Sequence, residues 1–145
     1  MAAVFLGIDY GSRRVGLSHA DELGFAFPLP AAVSAVPEER FAQIGREITR
    51  RHVTQIVLGY PLSVAGDRTK RCDEVDGFAA ELTRRFQLPI EKVDEALTSQ
   101  AADDMGGRKA RSAQERKQLA RTGERDSRAA AVLLQDFLNS RGIGA

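Results

Sequence analysis

Val4-Phe5-Leu6-Gly7-Ile8-Asp9-Tyr10-Gly11-Ser12 is an apolar run that ends in a carboxylate and then in a Gly-Ser turn signal. Apolar residues or glycine fill positions 3 to 8, with β-branched Val4 and Ile8 among them, so the run reads as a mostly buried strand. Its last side chain with chemistry is Asp9. A carboxylate at the mouth of a buried strand, followed by Tyr10-Gly11-Ser12-Arg13-Arg14, sits where backbone can approach a bound anion or metal closely. The rest of the chain can be read as supplying partners to Asp9.

Downstream, Arg14 to Ala20 alternates as a second strand, joined to the first by a Gly-containing turn that predicts a hairpin. Gly24-Phe25-Ala26-Phe27-Pro28 reads as a short third strand that Pro28 ends. Pro37 then opens a helix over 38–51, with Phe41, Ile44 and Ile48 on one face. Gln55 to Gly59 is an apolar β-branched run of the kind that forms a central parallel strand, a helix follows over about 70–86, and Pro89 to Glu95 is a strand ending in two acids. Strand, helix, strand is the rhythm of a βαβ unit. Thr98 or Ser99 can cap a short helix ending near Gly106-Gly107, and segment 106–125 reads as a partly ordered loop with one short helix. The last helix starts at 124–126 and runs to about Arg141, with Asp126, Ala129, Ala130, Leu133 and Phe137 on one apolar line. That line turns Asp126 toward the side the helix buries.

The composition narrows the function classes. A chain of 145 residues with 43% hydrophobic content supports one core, so 1–145 is expected to be a single domain. Net charge is +1, but Gly106 to Arg128 holds eight Lys or Arg against three acids, a local surplus of five that leaves the remainder at −4. A single cysteine, Cys72, excludes an intramolecular disulfide, and the absence of an export signal or an 18-residue apolar run leads us to expect a cytoplasmic protein away from membranes. His19 and His52 are isolated and read as structural or solvated, and Cys72 as inert.

Three carboxylates share one logic: Asp9 ends the first strand, Glu95 ends the last, and Asp126 opens the last helix on its apolar line. If the strands bearing Asp9 and Glu95 are parallel, both acids leave the sheet at the edge where open α/β sheets bind ligands. Three acids crowded together repel unless divalent cations sit between them, and an all-oxygen set suits Mg²⁺ or Mn²⁺ rather than zinc. The basic segment just before Asp126 would hold a polyphosphate backbone there by counterion release, without choosing a sequence, while the lack of Trp speaks against a base-stacking platform.

These motifs together resemble the YqgF/RuvX proteins, ribonuclease H-like nucleases described as Holliday-junction-resolvase-like and as pre-16S rRNA nucleases. The resemblance runs through Gly7-Ile8-Asp9-Tyr10-Gly11 with Arg14-Val15-Gly16, Gly59-Tyr60-Pro61-Leu62 with Gly66, Asp94-Glu95-Ala96-Leu97-Thr98-Ser99, and Asp126 with Ala129-Ala130 and Leu133-Leu134. It implies a mixed five-stranded sheet of order 3-2-1-4-5 flanked by helices, with Asp9, Glu95 and Asp126 as the metal-binding catalytic set. The chain departs from the family at Ala96, where Arg is common, and at Ser63-Val64-Ala65. Arg13, Arg14 and Arg68, with Arg108, Lys109 and Arg111 of the basic segment, are the expected substrate-binding cations. The implied partner is structured RNA such as pre-16S rRNA, or branched DNA, bound by a monomer or homodimer. Two other readings compete. A non-catalytic nucleic-acid-binding domain would not need all three acids, and an actin-like ATP-binding module would need a second domain and phosphate loop for which 145 residues leave no room.

Overall fold

A computed structural model describes residues 2–62, 65–94 and 122–144. In chain order its elements are β1 (Phe5–Asp9), β2 (Arg14–Ala20), β3 (Phe27–Val33), α1 (Pro37–Arg51), β4 (Gln55–Tyr60), α2 (Lys70–Phe86), β5 (Ile90–Asp94) and α3 (Glu124–Ser140). The strands form one sheet of order β3-β2-β1-β4-β5. β1 is antiparallel to β2 and β2 to β3, whereas β1, β4 and β5 run parallel, as the resemblance implies.

Strand alternation divides the core. Leu6 and Ile8 of β1, Val15 and Leu17 of β2, and Ile56 and Leu58 of β4 pack with Phe41 and Ile44 of α1 and Val75, Phe78 and Leu82 of α2. Phe5 and Val57, on the other face, pack with Leu133, Leu134, Phe137 and Leu138 of α3. Both parallel connections therefore leave helices on one face, while among the described residues α3 covers the other. Among the described residues, no helix is long and apolar enough to cross a membrane.

The third strand departs from the expectation. It runs from Phe27 to Val33 rather than ending at Pro28, and it contains both Pro28 and Pro30. Proline is tolerated because β3 is the edge of the sheet, pairing among the described residues with β2 alone, so a missing N–H on its outer side costs no ladder bond. Pairing passes from Leu17↔Leu29 to Val15↔Ala32, so Pro30 and Ala31 together oppose Gly16 in a β-bulge.

That bulge is where α3 docks. The buried Ser127 accepts the Leu17 N–H on its Oγ at 3.1 Å, while Ser18 Oγ donates to the Ala130 carbonyl at 2.8 Å. The helix backbone lies so close that a Cβ on Gly16 would fall 2.1 Å from the Asp126 carbonyl oxygen, and one on Gly7 would fall 3.0 Å from that of Ala130. The short helix expected after Thr98, and the basic segment up to residue 121, lie outside the described residues.

Removing the Ser127 hydroxyl leaves a buried strand amide without a partner. Ser127→Ala is expected to lower unfolding free energy by about 1–3 kcal/mol in urea titrations, against less than about 0.5 kcal/mol for Ser140→Ala at the exposed end of the same helix. Equal effects of the two substitutions would contradict the anchoring role.

Candidate functional site

The parallel pairing brings three strand ends to one edge. Ile8 is level with Leu58, Gly59 with Val93 and Tyr60 with Asp94, so Asp9 closes β1 one residue short of the row where β4 and β5 end. Across the antiparallel pair Asp9 faces Gly16. Directly opposed residues of such a pair send their side chains to the same face, and on that face Gly16 lies against the Asp126 backbone. Asp9 and Asp126 are thus brought to one corner of the molecule, separated by a strand position that carries no side chain.

Asp126 lies nearer water than its helical line implies. Ser127 takes the fully buried position, and the Asp126 side chain remains 32% exposed at the rim. At the start of α3, Gly123 adopts φ 76° against Ala31 and Val33 of β3, and the first turn that follows sets the Asp126 backbone on Gly16 with its side chain at the strand ends. Burial pushes the Asp126 carboxyl above its ordinary pKa. Arg14, whose Nε lies 3.2 Å from Oδ2, opposes that shift together with Arg125 and Arg71.

The expected cations separate in the structure. Arg14 is at the site. Arg13 is exposed beside it in the β1–β2 turn, where its carbonyl accepts the Ser34 N–H at 3.0 Å. Arg68 is committed elsewhere, on the α2 side of the sheet. Its guanidinium lies 2.7 Å from Asp73 and 3.2 Å from Asp76 and donates to the Tyr60 hydroxyl, while Lys92 Nζ lies 2.9 Å from Asp76. Glu95, Arg108, Lys109 and Arg111 fall outside the described residues, among which no group of three or more His, Cys, Asp or Glu could hold a metal. Asp9 and Asp126 nevertheless fit a hard divalent cation, being oxygen donors at one strand edge, one of them desolvated enough to favour added positive charge.

A further residue at this corner is Arg71, in the first turn of α2. Its Nη2 donates to the carbonyl of Tyr10, the residue after Asp9, and its charge acts on Asp126. No motif marks it. The available signal is topological: a helix that follows a parallel strand begins at the edge where that strand ends, so an arginine in its first turn reaches the same corner.

The raised Asp126 pKa has a measurable sign. A carboxyl that ionises less readily in the folded than in the unfolded chain lowers stability as pH rises through its folded value, and the penalty vanishes below its unfolded value of about 3.9. In metal-free buffer, Asp126→Asn is therefore expected to gain stability relative to the parent from acid toward neutral pH, and to match it most closely at the acid end. Urea titrations across that range check this, and a difference that shrank with rising pH would contradict it.

Residues 3–140 match the family described as "RuvX: Holliday junction resolvase". A protein of Opitutus terrae named "Putative pre-16S rRNA nuclease" is 41% identical over 137 residues, covering 94% of this chain and 91% of that one. One of Maridesulfovibrio salexigens with the same name is 39% identical over 134 residues, covering 92% and 96%. Two solved structures share the fold at low identity. They are Thermus thermophilus RuvC in complex with a Holliday junction substrate (TM-score 0.51, 18% identity, 97% of each chain) and the fowlpox virus Holliday junction resolvase (TM-score 0.53, 11% identity, 95% of this chain and 99% of that one). The chain therefore belongs to the RuvX family and has the ribonuclease H-like fold of the RuvC-type resolvases.

Proposed function

We propose that this chain is a single-domain, metal-dependent nuclease that hydrolyses phosphodiester bonds in structured nucleic acid, with 5′-end processing of pre-16S rRNA in the cytoplasm as its task. The observation that carries the reading is the meeting of Asp9 and Asp126 across Gly16 at the edge where the parallel strands end, with Arg14 beside them. Family membership and the names of the relatives support the substrate class.

In this reading Asp9, Asp126 and Glu95 hold Mg²⁺ or Mn²⁺. Such ions supply a water nucleophile at neutral pH and stabilise the charge that develops on the leaving oxygen. Asp9 is presented by the central strand, so its position is fixed by the sheet, while Asp126 is fixed by the seating of α3. Arg14 holds the Asp126 carboxylate in one orientation and offsets part of its charge. Arg13 and the segment bearing Arg108, Lys109 and Arg111 draw the phosphate backbone to the corner by counterion release. The chain acts as a monomer or homodimer.

The purified protein with Mn²⁺ is offered two substrates, a transcript spanning the 5′ end of pre-16S rRNA and a synthetic four-way DNA junction. Cleavage of the transcript at the mature end supports the proposal. Symmetric nicking of the junction alone would make the chain a resolvase, and binding without cleavage of either would make it a non-catalytic binding domain.

Asp9→Asn is expected to lower Mn²⁺-dependent cleavage by at least about 100-fold, the scale of removing one electrostatic interaction with the transition state. It should leave the melting temperature in EDTA unchanged or higher, because the three carboxylates of the proposed metal set repel one another when no cation lies between them. Calorimetry and a single-turnover assay measure the two halves, and an unchanged cleavage rate would remove Asp9 from its role.

Replacing Arg108, Lys109 and Arg111 with Ala is expected to weaken binding and flatten its salt dependence by roughly one unit of slope for each phosphate the segment no longer neutralises, with turnover changed much less. Titrations in Ca²⁺ at several salt concentrations read this. An unchanged slope would return the segment to a solvated loop.

A further inference from the structure

Four arginines cluster around the corner that holds Asp9 and Asp126, and their partners differ. Arg14 is paired with Asp126. Arg13 lies exposed in the turn, and the Arg125 charge acts on Asp126. Arg71 alone reaches the corner from α2, on the far side of β1 from β2, and its side chain is held by a neutral acceptor, the Tyr10 carbonyl. A guanidinium carries five N–H donors in a planar fork, so a bond to one carbonyl leaves most of the fork open. No carboxylate among the described residues forms an ion pair with it.

Its neighbour on the same side of the sheet makes the contrast. Arg68, three residues earlier, is paired with two carboxylates, Asp73 and Asp76, and donates to the Tyr60 hydroxyl, and that network continues to Lys92. Turning Arg68 to a phosphate would withdraw it from both Asp73 and Asp76. Arg71 breaks nothing by receiving an anion, because its existing acceptor is the backbone of the residue next to Asp9. The same bond ties the guanidinium to the end of β1, close enough for its charge to act on Asp126, so little further ordering is needed for it to take an anion there.

We propose that Arg71 is the substrate-orienting cation of the site: its guanidinium takes two oxygens of the phosphate adjacent to Asp9 and Asp126, while its bond to the Tyr10 carbonyl sets the fork's direction. This rests on the nuclease reading for its catalytic consequence, but the anion contact itself is measurable without any cleavage.

The test uses the full chain, with a fluorescein-labelled RNA hairpin and a labelled four-way DNA junction as probes. Arg71→Ala and Arg71→Lys are compared with the parent in two assays, binding in Ca²⁺ at several salt concentrations and single-turnover cleavage in Mn²⁺. Arg71→Ala is expected to reduce the salt slope by about one unit, the value for a single phosphate contact, and to lower the cleavage rate on the order of 100-fold. Arg71→Lys keeps the charge but not the fork, so it should restore the slope while leaving the rate low. A residue that merely braces the Tyr10 loop would move the melting temperature and leave the salt slope alone, which overturns the proposal. So would a Lys variant that recovers full rate, since the fork would then be unnecessary. If the parent binds both probes but cleaves neither, the nuclease reading fails, and the slope measured for Arg71→Ala still decides whether Arg71 contacts phosphate.

Discussion

The close seating of α3 on the β2 backbone is the constraint on which this molecule turns. A helix normally stands off a sheet by the length of the side chains between them, but here Gly16 and Gly7 remove that layer and Ser18 ties the helix carbonyl of Ala130 directly to β2. Glycine within a strand costs about 0.5–1 kcal/mol relative to alanine. The face that the approach lets α3 bury, Leu133, Leu134, Phe137 and Leu138, is worth about 1.5–3 kcal/mol per side chain as an upper bound, so the packing term outweighs the local cost several times over. The consequence reaches the site. Asp126 stands as near β1 as one bare strand position permits, and any side chain at Gly16 would lift the first turn of α3 and separate the acids.

The edge strand serves the same docking. Two residues of β3 oppose Gly16, which frees the Leu17 amide from the ladder and hands it to Ser127. Gly123 then enters α3 with a positive φ directly against Ala31 and Val33, a conformation and a space that only glycine satisfies. Gln135 closes the other end of this interface, accepting the Ala26 N–H at 2.9 Å and donating to the Gly24 carbonyl at 2.8 Å. Pro28, read as a terminator in the linear sequence, lies with Pro30 inside the edge strand, and the two lack N–H donors that another strand would need.

This explains what can be read from the residues and what cannot. β1 and β4 are legible because a strand buried on both faces is apolar throughout, and α1 and α2 because their apolar stripes have helical period. β3 is misread because the tolerance of a strand for proline depends on whether it lies at an edge, which is a property of the sheet and not of the strand. Asp126 follows the helical line of Leu133 and Phe137, yet its depth depends on where the first turn of α3 meets β2 and β3, and periodicity carries no such information. Arg68 and Arg71 are chemically identical and three positions apart. Their different fates are set by Asp73, Asp76 and Tyr60 on one side and by the end of β1 on the other, neighbours that only the folded chain supplies.

Electrostatics at the corner decides what it is poised to receive. Three arginine charges act on Asp126, one of them at hydrogen-bond distance, yet its carboxyl still ionises less readily than in water, so burial outweighs them. An added cation would lower that cost, and an anion such as a phosphate, arriving alone, would raise it. Arg14 cannot neutralise both, because turning its fork to a phosphate withdraws it from Asp126. A ligand that brings positive and negative charge together relieves the corner without undoing its pairing: a divalent ion against the acids, and a phosphate against Arg71, which no carboxylate among the described residues pairs. The network of Arg68, Asp76 and Lys92 across the sheet pairs its own charges, and that contrast is what the proposed reading of the Asp9 and Asp126 corner draws on.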